Sequence, residues 1–206
     1  EKKIKIVMRV YFEKPRTING WKGLINDPDL NKTYDIDKGL YLARDLLLYL
    51  ISIKMPTAYE VLDTFTPQYI SDLICWSAIG ARTTESQVHR QLVSGLSMPT
   101  GFKNNTNGDC KIAIDAIMSA NTPHYFYGIT YDGKAARIST TGNLDCHLIL
   151  RGSKNGPNYY IDDIKNIQYI MDENKLDSSI MIDCSHDNSR KDYKNQHIVW
   201  NYYLEN

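Results

Sequence analysis

Short apolar runs alternate along the chain with stretches whose apolar residues recur at helical spacing. Residues 4–12 (IKIVMRVYF) read as a strand, and a charged turn over 13–35 follows it. From Asp37 to Ile51, Leu40, Ala43, Leu47 and Leu48 repeat with a helical period. AYEVLD (58–63) is a second strand, and Thr66-Pro67 carries the N-cap-then-proline signature of a helix start. WSAIGA (76–81), PTGFK (99–103), HLILRG (147–152) and SIMIDCSH (179–186) supply strands three to six. Helices are expected over 85–96, 111–120 and 161–174.

Strand–helix units in series predict a parallel sheet, because antiparallel neighbours would be joined by tight turns. The nearly continuous apolar strands fit burial on both faces. Residues 124–141 break the rhythm: Asp132-Gly133 sits between two β-rich runs, as in an antiparallel hairpin. The 206 residues predict one domain, 1–206, with the hairpin inserted in it. A (β/α)8 barrel typically takes ~250 residues, with ~200 near the lower limit. Six units therefore imply an open sheet, or a barrel lacking two units.

Composition narrows the field. With 24 basic and 24 acidic residues the formal charge is zero, which argues against nucleic-acid and anionic-membrane partners. No apolar run approaches the ~18 residues of a membrane span, and EKKIKIVMRV lacks the features of a secretion signal. A soluble, cytoplasmic protein is expected. Cys75, Cys110, Cys146 and Cys184 show no CxxC spacing and read as reduced thiols.

The placement of cations is the chemical signal. Arg9, Lys14, Arg82, Lys103 and Arg151 lie in or just after apolar runs. If those strands are parallel and curl into a barrel, their ends converge on a pocket suited to a densely anionic small molecule. Arg82 precedes a helix start, where backbone N–H groups and a guanidinium fork make an anion site. Thr83 or Thr84 would cap that helix, with Glu85 in its first turn. Glu60, an acid inside an apolar strand, is expected to pair with one of the cations. Lys103 could equally be an imine-forming lysine. His186 could be a metal ligand, an acid/base or a hydrogen-bonded core histidine; the other four histidines read as structural. Gly128 to Lys134 resembles a phosphate-binding glycine loop, but Ala135 stands where a Ser or Thr is needed and Asp-Gly suits a turn better.

Taken together, MRVYFEKPRT, GWKGLINDP, WSAIGARTTESQVHR, GFKN, ILRG and IDCSH resemble the type I, microbial, aromatic-amino-acid-regulated 3-deoxy-D-arabino-heptulosonate 7-phosphate (DAHP) synthases, in collinear order along almost the whole sequence. The KPRT quartet, Lys14-Pro15-Arg16-Thr17, separates these from the related octulosonate-phosphate synthases. The resemblance implies a (β/α)8 transferase that condenses phosphoenolpyruvate with erythrose 4-phosphate on a divalent metal, opening the shikimate pathway. The metal would be manganese or iron, with cobalt or zinc as further candidates. Carried over by motif, Arg9, Lys14, Arg82, Lys103 and Arg151 hold phosphoenolpyruvate, and Lys14, Pro15, Arg16 and Thr17 hold the erythrose phosphate. His186 is a metal ligand, Glu60 an active-site glutamate, and Lys14 the candidate for proton delivery. The two substrates bring roughly five negative charges, at about −1.5 to −2 per phosphate, against six cations.

The resemblance also implies departures. The family's cysteine ligand on barrel strand one and its Glu and Asp ligands near strand eight have no counterpart here, so strands two to seven are expected. Tyr59, Leu144 and Asn105 stand where glycine is usual, and Cys184 where an aromatic is usual. Cys184, two residues from His186, would share its face in a strand and could replace the missing thiolate. The hairpin matches a regulatory element that binds an aromatic amino acid, with Pro67, Gln68, Ser97, Phe126 and Ile138 aligned to that pocket and Gly128 replacing a serine. A homodimer or homotetramer is expected. The alternative to an enzyme is a truncated, catalytically impaired barrel that retains phosphate-ligand binding or subunit contacts.

Overall fold

The computed structural model describes residues 4–14, 17–130, 132–177 and 179–206. In sequence order the elements are β1 (Met8–Val10), α1 (Ile36–Ser52), β2 (Thr57–Glu60), α2 (Thr66–Ile70), β3 (Trp76–Ile79), α3 (Gln87–Val93), β4 (Thr100–Lys103), α4 (Lys111–Ala120), β5 (Tyr125–Ile129), β6 (Ala135–Ser139), β7 (Cys146–Leu150), α5 (Ile161–Glu173), β8 (Ile180–Ile182) and α6 (Gln196–Glu205). The protein divides into two compact units: Glu1–Ala78 with Phe126–Ile138, and Ile79–Tyr125 with Ser139–Asn206.

In the first unit β1 and β2 run parallel with Met8 opposite Thr57 and Val10 opposite Tyr59, and β2 pairs parallel with β3. The Asp35 carboxylate caps α1 by accepting from the Lys38 amide at 3.1 Å. Gly39, Ala43, Leu47 and Leu50 form the buried face of α1. Gly39 is demanded by packing: a Cβ there would lie 2.2 Å from the Ile25 carbonyl oxygen. At α2, Asp63 rather than Thr66 does the capping. Its carboxylate accepts from the Phe65 amide at 2.6 Å, the Thr66 amide at 2.8 Å and the Thr66 hydroxyl at 2.5 Å. The β5–β6 hairpin turns at Asp132-Gly133 as expected: Gly133 has φ +73° and its amide bonds the Thr130 carbonyl at 2.9 Å.

In the second unit β4, β7 and β8 run parallel, with Lys103 opposite Ile149 and Leu150 opposite Ile182. Phe102, Leu148, Ile149 and Leu150 are fully buried, as are Ala113, Ile114, Ala116, Ile117 and Ala120 of α4. Burying each large side chain contributes roughly 1.5–3 kcal/mol. The small alanines of α4 let that helix approach the strands closely. Helix α6 was not expected from the pattern. Its Tyr202 ring stands edge-on to Tyr160 at 5.4 Å and Tyr159 at 5.5 Å, and its hydroxyl accepts from the Ile161 amide at 3.2 Å, closing the open start of α5.

Among the described residues β1 pairs only with β2 and β8 only with β7. The fold is α/β, with parallel strands of the barrel type and an antiparallel hairpin. Several elements are shorter than the pattern predicts. Residues 4–9 are exposed, and β1 is regular only where it meets β2. The predicted strand 179–186 stops at Ile182, because Asp183 accepts from the Ser185 amide at 2.9 Å and turns the backbone. Helix α3 begins after Ser86, so neither Thr83 nor Thr84 caps it. The Thr84 hydroxyl instead donates to the carbonyls of Gly80 at 3.0 Å and Lys103 at 2.8 Å.

Candidate active site

In the second unit Arg82, Lys103, Arg151 and His186 each lie at or just beyond the carboxyl end of a strand, where open α/β sheets and barrels bind ligands, and Lys103 and His186 meet at Asp183. Lys103, the last residue of β4, is buried, and its ammonium sits 3.2 Å from Asp183. The same carboxylate oxygen lies 2.8 Å from His186 Nδ1, while its other oxygen accepts from the Ser185 amide at 2.9 Å and the Ser185 hydroxyl at 2.7 Å. Burial pushes the Asp183 carboxyl up. The His186 hydrogen bond, the Lys103 charge and Ser185 outweigh it and hold the group well below the usual carboxylate range. Asp183 is thus a fixed anion that turns Nδ1 of His186 inward and leaves Nε2 as the nitrogen able to meet a ligand. His186 itself has φ +50°, an uncommon backbone state for a residue with a side chain.

Arg151 is buried and its guanidinium lies 2.7 Å from Asp187, which also holds Lys191 at 3.3 Å. A guanidinium has five N–H donors, so Arg151 keeps donors for an incoming anion. Three asparagines fix this end of the sheet. Asn104 accepts from the Arg151 amide at 2.9 Å and donates to the Gly152 carbonyl at 3.0 Å. Asn158 accepts from the Gly152 amide at 2.7 Å. Asn188 donates to the carbonyls of Leu150 at 3.0 Å and Asp183 at 2.9 Å, and accepts from the Asn158 amide at 3.0 Å. Gly152 has φ +74°, and a Cβ there would meet the Asn188 amide nitrogen at 2.5 Å. Arg82 is exposed in the turn between β3 and α3.

In the first unit Arg9, on β1, pairs with Glu60 at the end of β2, as expected for Glu60; Arg9 is partly exposed and Glu60 buried. Just beyond β1, buried Glu13 accepts a hydrogen bond from the Tyr59 hydroxyl and shares another with Asp63. Burial pushes Glu13 up to about 7, Tyr59 opposes the rise and Asp63 adds to it. Tyr59 therefore does more than fill space. Lys14 is exposed, with its ammonium 5.8 Å from the Trp21 ring centre, a cation–π contact. Its amide donates to the Lys22 carbonyl at 2.7 Å, and the Thr17 amide donates to the Lys14 carbonyl at 3.2 Å. Pro15 and Arg16 lie outside the described residues.

One expectation needs correction. Cys184 does not follow strand alternation with His186, because the strand has ended and the backbone turns at Asp183. Its thiol is pushed up by burial and then by the Asp183 charge, away from the thiolate. The Arg9–Glu60 pair is the one the sequence led us to expect; the carboxylate partners of Lys103 and Arg151 are additions to that expectation. The roles of Glu13, Asp183 and Asp187 were not foreseen, although Glu13 lies inside MRVYFEKPRT, Asp183 inside IDCSH and Asp187 directly after it.

Of the residues aligned to a regulatory pocket, Pro67 and Gln68 lie in α2 and Phe126 and Ile138 on the hairpin. Phe126 and Ile138 flank Gly128, whose Cβ position would lie 2.8 Å from Ile138 and 3.8 Å from Phe126. Ser97 is exposed in the segment between α3 and β4.

Parallel strands with buried, carboxylate-anchored cations at their carboxyl ends are an arrangement of the α/β barrel class. The family model for the DAHP synthetase I family matches residues 1–205, and the chain belongs to that family. The Tyr-sensitive phospho-2-dehydro-3-deoxyheptonate aldolase of Escherichia coli K12 is 54% identical over 194 residues, 94% of this chain and 54% of that protein. The Phe-sensitive one of the same strain is 54% identical over 193 residues, 94% of this chain and 55% of that protein. A solved phospho-2-dehydro-3-deoxyheptonate aldolase from Francisella tularensis SCHU S4 superposes with a TM-score of 0.92 at 52% identity, covering 97% of this chain and 59% of that one. The chain spans about half the length of the curated relatives it matches.

Proposed function

We propose that this chain is the central part of a DAHP synthase and binds phosphoenolpyruvate and erythrose 4-phosphate for their condensation. The observation that carries the reading is the set Lys103–Asp183–His186 and Arg151–Asp187, held at adjacent strand ends in one unit. In the reaction, C3 of the enol attacks the aldehyde carbon and water adds at C2. The C2–O bond to phosphate then breaks, giving DAHP and inorganic phosphate. Lys103, Arg151 and Arg82 would hold the phosphate and carboxylate of phosphoenolpyruvate. Lys14, Arg16 and Thr17 would hold the sugar phosphate, with Lys14 delivering a proton to the new alkoxide and Glu60 orienting Arg9. Because three cations already face carboxylates, binding depends on the remaining donors of each fork and ammonium rather than on unopposed charge.

A divalent metal would polarise the aldehyde oxygen. His186 Nε2 is suited to be one ligand. Among the described residues no group of three or more His, Cys, Asp and Glu side chains is placed to hold an ion. These described residues do not make a metal cage by themselves. Pro67, Gln68, Phe126 and Ile138 are proposed as part of an aromatic amino acid site, on the resemblance and on the hairpin's presence. No helix among the described residues is long and apolar enough to cross a membrane.

Calorimetric titration with phosphoenolpyruvate tests the binding reading. Lys103→Met and Arg151→Gln should each weaken affinity by roughly ten-fold or more, the loss of a charge-assisted hydrogen bond. Unchanged affinity in both variants would overturn it. Adding erythrose 4-phosphate and manganese and assaying phosphate release separates an enzyme from the second reading, a barrel that binds without turnover.

A further inference from the structure

We infer that Asn19 is a site of self-catalysed deamidation, in which the Gly20 amide nitrogen converts the Asn19 carboxamide to a carboxylate. Three Asn-Gly pairs occur in the sequence: Asn19-Gly20, Asn107-Gly108 and Asn155-Gly156. In such a pair the glycine nitrogen loses its proton to a solvent base and attacks Cγ of the asparagine. The bond between Cγ and Nδ2 breaks, ammonia leaves, and a five-membered succinimide remains. Water then opens the ring at either carbonyl, giving aspartate or isoaspartate. No oxidant or cofactor is needed. Glycine favours the step because it has no Cβ to obstruct the approach and tolerates the backbone angles required.

The structure separates the three pairs. Two are held shut by turn hydrogen bonds on both nitrogens. The Gly108 amide donates to the Asn105 carbonyl at 3.1 Å, and the Asn107 amide to the Asn105 side-chain oxygen at 3.0 Å. The Gly156 amide donates to the Ser153 carbonyl at 3.1 Å, and the Asn155 amide to the Ser153 hydroxyl at 3.1 Å. An amide engaged in this way is neither free to ionise nor free to rotate toward the carboxamide. Asn19 and Gly20 are both exposed, and no hydrogen bond holds the Gly20 amide among the described residues. Gly20 has φ +97°, nothing lies within 4 Å of where its Cβ would be, and it lines a cavity of about 690 Å³ with Trp21 and Lys22. The ring therefore has room to form. Lys22, two residues beyond Gly20, brings positive charge to the segment, which stabilises the anionic nitrogen.

The product changes the loop that Lys14 and Lys22 close. One negative charge is added between Lys14 and Lys22 in sequence, and isoaspartate also lengthens the backbone by a methylene. If the phosphate-binding reading above holds, the modified protein binds a sugar phosphate more weakly.

Peptide mapping by mass spectrometry after incubation at mildly alkaline pH tests the site, with the same protein in urea as reference. In urea the three pairs should react at similar rates. In the native protein Asn19 should keep its urea rate within about three-fold, while Asn107 and Asn155 slow by roughly ten-fold, the fold-change equivalent of a turn hydrogen bond that must first open. Asn19→Gln should abolish the reaction at this position without altering the other two. Faster native reaction at Asn107 or Asn155, or equal slowing of all three, would overturn the inference. Binding of inorganic phosphate to Asn19→Asp is measured separately. Unchanged binding there would count against the functional consequence while leaving the mapped site intact.

Discussion

Changing pH between 4.5 and 7 should unload the first unit, and Glu13→Gln should prevent it. Glu13 is buried against the Tyr59 hydroxyl and Asp63, and burial raises its pKa from 4.5 to about 7. In the unfolded protein the group titrates near 4.5. Between those values the native state holds a proton that the unfolded state has released, so stability falls as pH rises. The contribution is fully present below about 4.5 and lost above about 7, and the gap corresponds to about 3 kcal/mol. Glutamine keeps an oxygen to accept from Tyr59 and an N–H for Asp63, and it cannot ionise. Urea denaturation of both proteins across this window measures the effect. The two should agree within about 1 kcal/mol at the acidic end, and the variant should be more stable by about 3 kcal/mol at the alkaline end. Half-buried His147, whose pKa is lowered by desolvation, gives the opposite drift: its stabilisation is lost as pH falls below 6.5. That drift is common to both proteins and cancels in the difference. A flat difference, or one that widens toward acid, would refute the reasoning.

Other perturbations test the second unit. Asp187→Ala leaves the Arg151 guanidinium buried without its partner and should cost about 3–5 kcal/mol in urea unfolding, with Asp187→Asn costing less. Asn188→Ala removes partners from the Leu150 and Asp183 carbonyls and the Asn158 amide. It should destabilise by about 2–4 kcal/mol in the same assay. Imine formation needs a lysine in apolar surroundings or beside another cation, whereas Lys103 faces Asp183 at 3.2 Å. Borohydride reduction with both substrates present should leave no adduct on Lys103 in a mass spectrum, and an adduct would restore the aldolase reading.

Much of the fold was legible because local pattern and tertiary outcome agree. Helical spacing placed α1, α4 and α5 within about two residues of their observed bounds, and Asp132-Gly133 marked the hairpin turn. Strand-end cations were legible for a similar reason, since a charge closing an apolar run must lie at the rim of the sheet. The counter-charges were not. Lys103 and Asp183 are 80 positions apart and Arg151 chooses Asp187 only once β7 and β8 lie side by side. Asn104, Asn158 and Asn188 were missed because an asparagine after a strand reads equally well as an exposed turn. Helix α6 went unseen because its only fully buried apolar residue is Val199, and its tyrosines work through ring edges and a hydroxyl.

The two carboxylates that neutralise Lys103 and Arg151 leave the backbone four positions apart, on one short turn. Inserting or deleting a single residue between them would shift one carboxylate relative to the other and strip at least one buried cation of its partner. Cys184, whose thiol anchors neither cation, could be exchanged with little effect on either. For anyone redesigning this rim, the number of residues from Asp183 to Asp187 is a stricter specification than the chemistry of those that lie between.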